Sequence, residues 1–307
     1  MWVITGGSGY VGSSLGWVLQ ERGIRALSVD VRGTHGIRGS IADNAVWDAV
    51  YASGPPELII HCAGLIVVSE SVRDPHRYYA ENMVAATAML EHIRRRGPVP
   101  IVFSSSAAVY GHPTSIPISE DAPKAPINPY GRTKWIFEQI LADYHRAYGL
   151  PWIALRYFNA AGVIGTVREA HQPETHLLPL AAGALARGEA PIIYGHQYPT
   201  RDGTAIRDFI HVADLAEAHL RAGEYLLDGG EPTALNLGSG HGVTVLEAVA
   251  ALQKASGRYL APQFEDPRPG DPPALVASID RARQLLGWTP RRSDIEQIAR
   301  EVWETIQ

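Results

Sequence analysis

The sequence has little cysteine and no long apolar run. Its 307 residues include one cysteine, Cys62, so no disulfide can form within the chain. Cys62 lies in the apolar run ELIIHCAG, which favours a buried small residue over a nucleophile, and its isolation is typical of reducing compartments. No apolar stretch of about 20 residues is present to span a bilayer. Because MWVIT runs directly into a glycine loop and leaves no room for a signal peptide, we expect a cytoplasmic protein.

Positive charge and metal-ligand spacings are also scarce. The formal net charge is -5, which predicts no general attraction to nucleic acid or to anionic membranes. A phosphate-bearing ligand would therefore need individual arginines or helix N-termini. The histidines are scattered, and His171 and His176 lack cysteine or carboxylate partners at a matching spacing. We expect no metal site, no nucleic-acid partner and no membrane partner.

Short apolar runs alternate with segments of helical periodicity through the first half of the chain. This alternation predicts an α/β fold built on a doubly wound parallel sheet with right-handed crossovers. The predicted strands are 2–5, 26–30, 57–61, 100–105 and 152–157, and the predicted helices are 10–22, 43–53, 76–96 and 130–148.

The alternation breaks after about residue 158, where proline and glycine become frequent. Regular patterns return as an amphipathic helix over 212–227, a strand in TALNLGSG and a closing helix from about 293. These changes predict two domains. The first comprises 1–158, with 207–238 returning to it, and the second is a smaller, discontinuous α/β domain made of 159–206 and 239–307.

The string TGGSGYVG at 5–12 follows the first strand and opens the first helix. Glycines in this position permit a tight turn and close approach of the backbone to a pyrophosphate at the helix N-terminus. Asp30 closes the second strand, where its carboxylate would accept hydrogen bonds from ribose hydroxyls and repel the extra phosphate of NADP. The pattern predicts a Rossmann-type domain that binds NAD. Arg32 leaves NADP open, and a glycine turn without a ligand is the structural alternative.

Tyr130 and Lys134 in PYGRTK are four residues apart, so a helix beginning here places both on one face. Lowering a tyrosine pKa from about 10 to about 7 requires roughly 4 kcal/mol. One cation at about 4 Å in an effective dielectric of about 20 supplies roughly that, and an oxidised nicotinamide would add more. Ser106, at the end of the strand before SSSAAVYG turns, would bridge the tyrosine and a substrate hydroxyl. An ordinary helix face is the alternative interpretation.

Together, these three motifs resemble those of the extended short-chain dehydrogenase/reductase family. Further strings narrow the resemblance to the UDP-glucose 4-epimerase family, in order along nearly the whole chain, and YPTRDGTAIRDFIHV is the most specific of them. The strings are HCAGLIVVSESV (61–72), YYAENMVAAT (78–87), ALRYFNAAG (154–162), ETHLLP (174–179), YPTRDGTAIRDFIHVADLAEAH (198–219) and PRPGD (267–271).

The resemblance implies NAD as cofactor, a UDP-hexose as substrate, and a homodimer formed through the helices near 76–96 and 130–148. The implied catalytic residues are Ser106, Tyr130 and Lys134. The implied cofactor-binding residues are Gly6, Gly9, Tyr10, Val11, Gly12, Asp30, Val31, Ile41, Asp43, Ala63, Gly64, Leu65, Asn82, Ser104, Ser105, Tyr130, Lys134, Tyr157 and Phe158. The implied substrate-binding residues are Ser106, Ala107, Ala108, Tyr130, Phe158, Asn159, His176, Leu177, Arg207, Arg268, Asp271 and Leu275, with both arginines on the UDP phosphates, Asp271 at its ribose and Leu177 at the uridine.

Three positions depart from the pattern of that family. Ile66 stands where members often carry a lysine near the cofactor phosphates, which predicts looser NAD retention. The segment 30–43 is shorter than in many relatives, so the adenosine contacts are less defined. Leu275 stands near the 2-position of the sugar, where some relatives have a tyrosine. Because leucine leaves more room, N-acetylated UDP-hexosamines become possible substrates.

The resemblance implies reversible epimerisation of UDP-galactose and UDP-glucose at carbon 4, through a transient 4-keto sugar and bound NADH. A nucleotide-sugar 4,6-dehydratase or decarboxylase is one alternative. Dehydratases need an acid and a base beside the serine, where this chain has Ala107 and Ala108. A noncatalytic NAD-binding sensor is the other alternative, but it leaves the serine, tyrosine and lysine set unexplained.

Overall fold

The computed structural model describes residues 1–33, 35–169, 174–268 and 270–306. The helices are α1 (Tyr10–Glu21), α2 (Asn44–Ala52), α3 (Val68–Arg73), α4 (Pro75–Tyr79), α5 (Ala86–Arg96), α6 (Pro129–Tyr148), α7 (Leu177–Ala186), α8 (Val212–Leu227), α9 (Val245–Ser256), α10 (Asp280–Leu286) and α11 (Ile295–Glu304). The strands are β1 (Trp2–Thr5), β2 (Ala26–Asp30), β3 (Ile37–Arg38), β4 (Leu58–His61), β5 (Ile101–Ser106), β6 (Trp152–Tyr157), β7 (Asn159–Ala161), β8 (Ile192–Tyr194), β9 (Ile206–His211), β10 (Thr233–Leu237), β11 (Gly242–Thr244), β12 (Gln263–Glu265) and β13 (Ala274–Leu275).

Seven parallel strands form the large sheet in the order β10-β6-β5-β4-β1-β2-β3. Alternate side chains of its strands enter two separate apolar layers, as the period of two along a strand requires. One layer packs against α1, α8 and α10, and the other against α2, α5 and α6. Helices on both faces of a parallel sheet make this a Rossmann-type fold, so the predicted fold class is confirmed.

A smaller apolar cluster lies among α7, α9 and α11. Near it, β11, β9, β13 and β7 form a second, mixed sheet, and β8 pairs with β12. The strand predicted in TALNLGSG is β10 and joins the large sheet beside β6, whereas β9 belongs to the second sheet. The division into two domains at the stated boundaries stays a prediction.

The helix predicted over 76–96 is divided. It consists of α4, a π-helical segment at Ala80–Ala85 and α5. A π segment inserts an extra residue into the helical turn and is frequent at functional sites, and this one carries Asn82. In the described part of the chain, none of the helices has both the length and the apolar character that crossing a membrane requires.

Candidate active site

The carboxyl ends of β1, β2, β4, β5 and β6 meet along one edge of the large sheet, because neighbouring parallel strands run in the same direction. The glycine loop follows β1, Asp30 ends β2 and the segment Ala63–Leu65 follows β4. Ser106 ends β5 beside Tyr157, which ends β6. The fold therefore collects most of the predicted cofactor residues in the crevice where ligands of such sheets bind.

The glycine loop is built so that side chains cannot enter it. Gly6 has φ +72°, and a Cβ there would lie 2.6 Å from the backbone nitrogen of Ala63. A Cβ on Gly12 would lie 2.2 Å from the carbonyl oxygen of Gly6. Because only bare backbone fits, the amides at the start of α1 are open to close approach by a pyrophosphate. This cradle fits the predicted dinucleotide.

Asp30 is buried and connects two loops. Its Oδ2 accepts a hydrogen bond from the backbone N–H of Ser8 (2.9 Å), and its Oδ1 accepts one from Arg32 N–H (2.8 Å). These bonds fix the carboxylate beside the glycine loop, where the sequence predicts the ribose hydroxyls of NAD. Val31, next along the chain, is 57% exposed. Ile41 is buried with its carbonyl taken by the indole N–H of Trp47, so it can contribute apolar contact but not that oxygen.

Asn82 connects the loop after β4 to α6. Its Oδ1 accepts from Leu65 N–H (2.8 Å), and its Nδ2 donates to Leu65 O (3.0 Å) and Thr133 Oγ1 (3.2 Å). The side chain is buried, so these bonds are made away from water. The support that Asn82 gives to a cofactor or to the active site stays a prediction.

Tyr130 and Lys134 both lie on α6, whose first turn is capped by Asn128 accepting from Gly131 N–H (2.8 Å). Lys134 is 4% exposed, and its Nζ donates to Ser104 O (2.8 Å). The same Nζ lies 5.8 Å from the centre of the Tyr130 ring. Ser106 lies close enough to the Tyr130 hydroxyl to lower the pKa of the phenol. The helix therefore brings the predicted serine, tyrosine and lysine together.

The electrostatics of Tyr130 differ from the prediction. Burial raises the pKa of the phenol, and the hydrogen bond with Ser106 only partly offsets this. Lys134 directs its charge at the carbonyl of Ser104 instead of the phenol. Without a cofactor, burial therefore outweighs the effect of the lysine on the pKa of Tyr130. The lowering of this pKa by Lys134 together with an oxidised nicotinamide stays a prediction.

Burial lowers the pKa of Lys134 to about 8, although Cys62 and Glu138 act to raise it. Between that pH and the ordinary value of 10.5, the unfolded chain binds the proton that the folded chain has lost. We therefore expect the free energy of unfolding of the parent protein, relative to Lys134→Met, to rise by up to about 3 kcal/mol as the pH rises across this window. Urea unfolding at several pH values measures this difference, with Lys254→Met as the surface control. A difference that stays constant or falls over this window would contradict the burial of the charged amine.

Several predicted cofactor residues direct their polar atoms into the protein. The Tyr10 hydroxyl donates to Gly162 O (2.6 Å), and Ser105 Oγ donates to Glu138 Oε1 (2.5 Å). The Tyr157 hydroxyl lies 2.7 Å from Ser104 Oγ and also bonds to His219 Nε2. Any contact of these residues with a dinucleotide must therefore use backbone atoms or ring faces.

Ala107 and Ala108 form a 3₁₀ turn directly after Ser106, whose Oγ accepts from Ala108 N–H (3.2 Å). A Cβ on Gly131 would lie 2.5 Å from Ala108 O, so this turn packs against the start of α6 beside Tyr130. Phe158 is buried, and Asn159 pairs with Phe209 where β7 meets β9. The turn offers no carboxylate next to the serine.

The predicted phosphate and ribose residues converge on β9 and β13. Arg207 is 9% exposed and donates from Nη1 to Ile206 O and Pro272 O, both at 2.9 Å. Its Nη2 lies 3.3 Å from Asp271 Oδ2, and Arg207 is the register partner of Leu275. The guanidinium is thus fixed in place beside the predicted specificity residue.

Arg268 lies over the ring of Tyr194, with its guanidinium carbon 4.4 Å from the ring centre. Such stacking favours a planar guanidinium in a set orientation. Tyr194 was not predicted as a site residue, because neither a motif nor a periodicity of the sequence relates it to Arg268. Pro269 of the PRPGD string lies outside the described residues.

His176 precedes α7, and its Nδ1 lies 2.8 Å from Glu174 Oε1. Burial lowers the pKa of His176, but the hydrogen bond with Glu174 and the charges of Glu169 and Glu174 outweigh it and raise the pKa overall. Potential ligand atoms of these three residues lie within 4.8 Å of one another. His171 lies outside the described residues, and the expected lack of a metal stays a prediction.

Residues 2–238 match the NAD dependent epimerase/dehydratase family. The UDP-glucose 4-epimerase of Rhizobium leguminosarum bv. trifolii is 45% identical over 314 residues, which cover 98% of this chain and 96% of that protein. The crystal structure of UDP-glucose 4-epimerase from Brucella ovis in complex with NAD is similar at a TM-score of 0.93 and 40% identity, covering 99% of this chain and 97% of that one. The UDP-Glc/GlcNAc 4-epimerase from Campylobacter jejuni is similar at a TM-score of 0.84 and 33% identity, covering 99% and 98%.

These similarities extend over nearly the whole chain. The chain belongs to the NAD dependent epimerase/dehydratase family.

Proposed function

We propose that this protein interconverts UDP-galactose and UDP-glucose by reversible epimerisation at carbon 4, with NAD as its cofactor. The observation that carries the proposal is the placement of Ser106, Tyr130 and Lys134 at the sheet edge that also holds the glycine loop. The relatives named UDP-glucose 4-epimerase support the substrate class.

The residues have separate tasks in this reaction. Tyr130 accepts the proton of the 4-hydroxyl as a general base, and Ser106 holds that hydroxyl by a hydrogen bond. NAD held by the glycine loop and Asp30 would supply the acceptor and donor of the hydride at carbon 4. Arg207 and Arg268 hold the phosphates, so the keto sugar can turn while its UDP stays in place. The phenol of Tyr130 then returns its proton to the new hydroxyl.

The 4,6-dehydratase alternative requires a carboxylic acid and a base beside the serine. Ala107 and Ala108 occupy that turn, and their methyl groups cannot transfer protons. The experiment is to incubate the pure protein with UDP-galactose and NAD and to identify products by mass and NMR. UDP-glucose of unchanged mass supports the epimerase, loss of water supports a dehydratase, and no turnover supports a noncatalytic NAD-binding protein.

N-acetylated UDP-hexosamines are the second proposed class of substrate. Leu275 is partly buried next to Arg207, so its side chain limits the space beside the phosphates. We expect Leu275→Tyr to lower kcat/KM for UDP-N-acetylgalactosamine at least tenfold while that for UDP-galactose changes less than threefold. Parallel kinetics on the two substrates measure the ratio, with Leu275→Met as the control of similar volume. Equal losses on both substrates would remove Leu275 as the gate.

A homodimer is the proposed assembly. The π segment and α5 present a shallow groove lined by Met83, Val84, Thr87, Ala88 and Glu91, and Val84 is 69% exposed. On α6, Ile136 and Tyr148 are also exposed. Apolar side chains exposed on two helices favour burial against a second copy.

The single cysteine fits the proposed cytoplasmic location.

We expect Val84→Arg to weaken the dimer at least 100-fold, because the interface would have to bury an unpaired charge. Light scattering during size-exclusion chromatography measures the mass. Tyr259→Arg is the control, since Tyr259 is equally prominent at 72% exposure but lies outside both helices. A Val84→Arg protein that remains dimeric would exclude this face.

A further inference from the structure

A third polar residue follows Tyr130 and Lys134 on the same face of α6. Glu138 lies four residues beyond Lys134 and is 1% exposed. A buried carboxylate is costly unless it is paired and hydrogen-bonded. Both of its oxygens are engaged: Oε1 accepts from Ser105 Oγ (2.5 Å) and Arg156 Nε (3.1 Å), and Oε2 accepts from Arg156 Nη2 (2.6 Å).

The position of Ser105 connects this ion pair to the catalytic groups. Ser105 lies between Ser104, whose carbonyl accepts from Lys134 Nζ, and Ser106, which lies close to the Tyr130 hydroxyl. Three consecutive residues at the end of β5 thus contact three residues one turn apart on α6. Glu138 makes the contact to the middle residue of the three.

Arg156 is itself held on its far side. It is the register partner of Ser105 and is 3% exposed. Its Nη1 donates to the Tyr110 hydroxyl (2.8 Å) and to Glu120 O (3.2 Å). The Tyr110 hydroxyl donates in turn to Asn236 Oδ1 (2.7 Å) on β10. These hydrogen bonds hold the guanidinium in one orientation, and the guanidinium in turn holds the carboxylate of Glu138.

We propose that Glu138 is a positioning residue for the epimerisation: its bidentate pair with Arg156 and its bond to Ser105 set α6 on β5 so that Lys134 and Tyr130 reach their partners. The expected effect on turnover rests on the proposed function. The expected effect on NAD affinity depends only on NAD binding. Catalytic groups must be held within about 0.5 Å of the productive geometry. A buried ion pair need not add to the free energy of unfolding, but it can fix one arrangement of the elements that it joins.

Glu138→Gln tests the proposal, because glutamine keeps the length of the side chain and an oxygen for Ser105 but loses the charge that faces Arg156. We expect kcat on UDP-galactose at saturating NAD to fall at least tenfold, while KM for UDP-galactose changes less than twofold. We also expect the Kd for NAD, measured by calorimetric titration, to rise about tenfold because Lys134 shifts.

Asp214→Asn is the matched control. Asp214 is also buried and accepts from the backbone N–H groups of Arg291 and Arg292 and from Ser293 Oγ. None of these partners contacts the predicted catalytic residues. This variant should lower Tm but leave kcat and the Kd for NAD within twofold of the parent values.

A second variant separates positioning from stability. Replacing both partners, Glu138→Leu with Arg156→Leu, removes the buried charges and should restore Tm above that of Glu138→Gln without restoring kcat. Recovery of kcat together with Tm would overturn the proposal, as would a Glu138→Gln protein with the parent kcat and Kd. If the parent protein shows no turnover, the proposed function is wrong. The Kd for NAD of Glu138→Gln, compared with that of the parent, then decides whether Glu138 is a positioning residue.

Discussion

Tyr130→Phe is expected to lower kcat for the conversion of UDP-galactose to UDP-glucose by about 10³-fold, within the range of effects measured for general bases. The change removes one oxygen from a partly buried ring, so the packing around the start of α6 is retained. KM should change little, because the phosphate contacts proposed for Arg207 and Arg268 do not involve the phenol. Steady-state rates at saturating NAD measure the effect.

Tyr225→Phe is the control for this substitution. Tyr225 lies on α8, and its hydroxyl donates to Glu231 O at the protein surface (3.1 Å). Its kcat should equal that of the parent. Parent-like turnover by Tyr130→Phe would eliminate the phenol as the base.

Gly12→Ala is expected to raise the Kd for NAD at least 100-fold. The added Cβ would lie 2.2 Å from Gly6 O and 2.8 Å from Gly7 Cα, and both are backbone atoms that cannot rotate away. The glycine loop must therefore move, and its amides lose their approach to the pyrophosphate. Titration with NAD and thermal unfolding together separate the loss of binding from the loss of folding.

Gly16→Ala is the matched control, one turn further along α1. A Cβ at Gly16 would meet nothing within 4 Å. NAD affinity should be unchanged, and stability should rise by about 1 kcal/mol because alanine favours a helix over glycine. If both variants bind NAD as the parent does, the crevice beside the glycine loop is not the dinucleotide site.

The large sheet was predictable because each of its long strands is a short apolar run, and helices of clear periodicity alternate with these runs through the first half of the chain. The second sheet was not, since β7, β11 and β13 have two or three residues each and show no period. The π segment also escaped prediction, because one inserted residue hardly changes the apolar spacing over 76–96. Local pattern determines the long elements, and tertiary contacts determine the short ones.

The residues of the candidate site also fall into a predictable and an unpredictable group. The glycine loop, Tyr130 and Lys134 lie within short motifs, so their chemistry is visible in the sequence. The Arg268 and Tyr194 stack and the Glu138 and Arg156 pair join residues 74 and 18 positions apart, and no local signal relates their members. Whether the pKa of Tyr130 is raised or lowered also depends on the burial of its side chain, which only the folded chain shows.

In the proposed reaction, Tyr130 removes a proton from the 4-hydroxyl while the hydrogen of carbon 4 leaves and returns within one active site. UDP-galactose carrying deuterium at carbon 4 follows this hydrogen, with the UDP-glucose product analysed by NMR and mass spectrometry. We expect the deuterium to remain on carbon 4 and none to enter the solvent. Replacement of the deuterium by hydrogen from water would exclude this path.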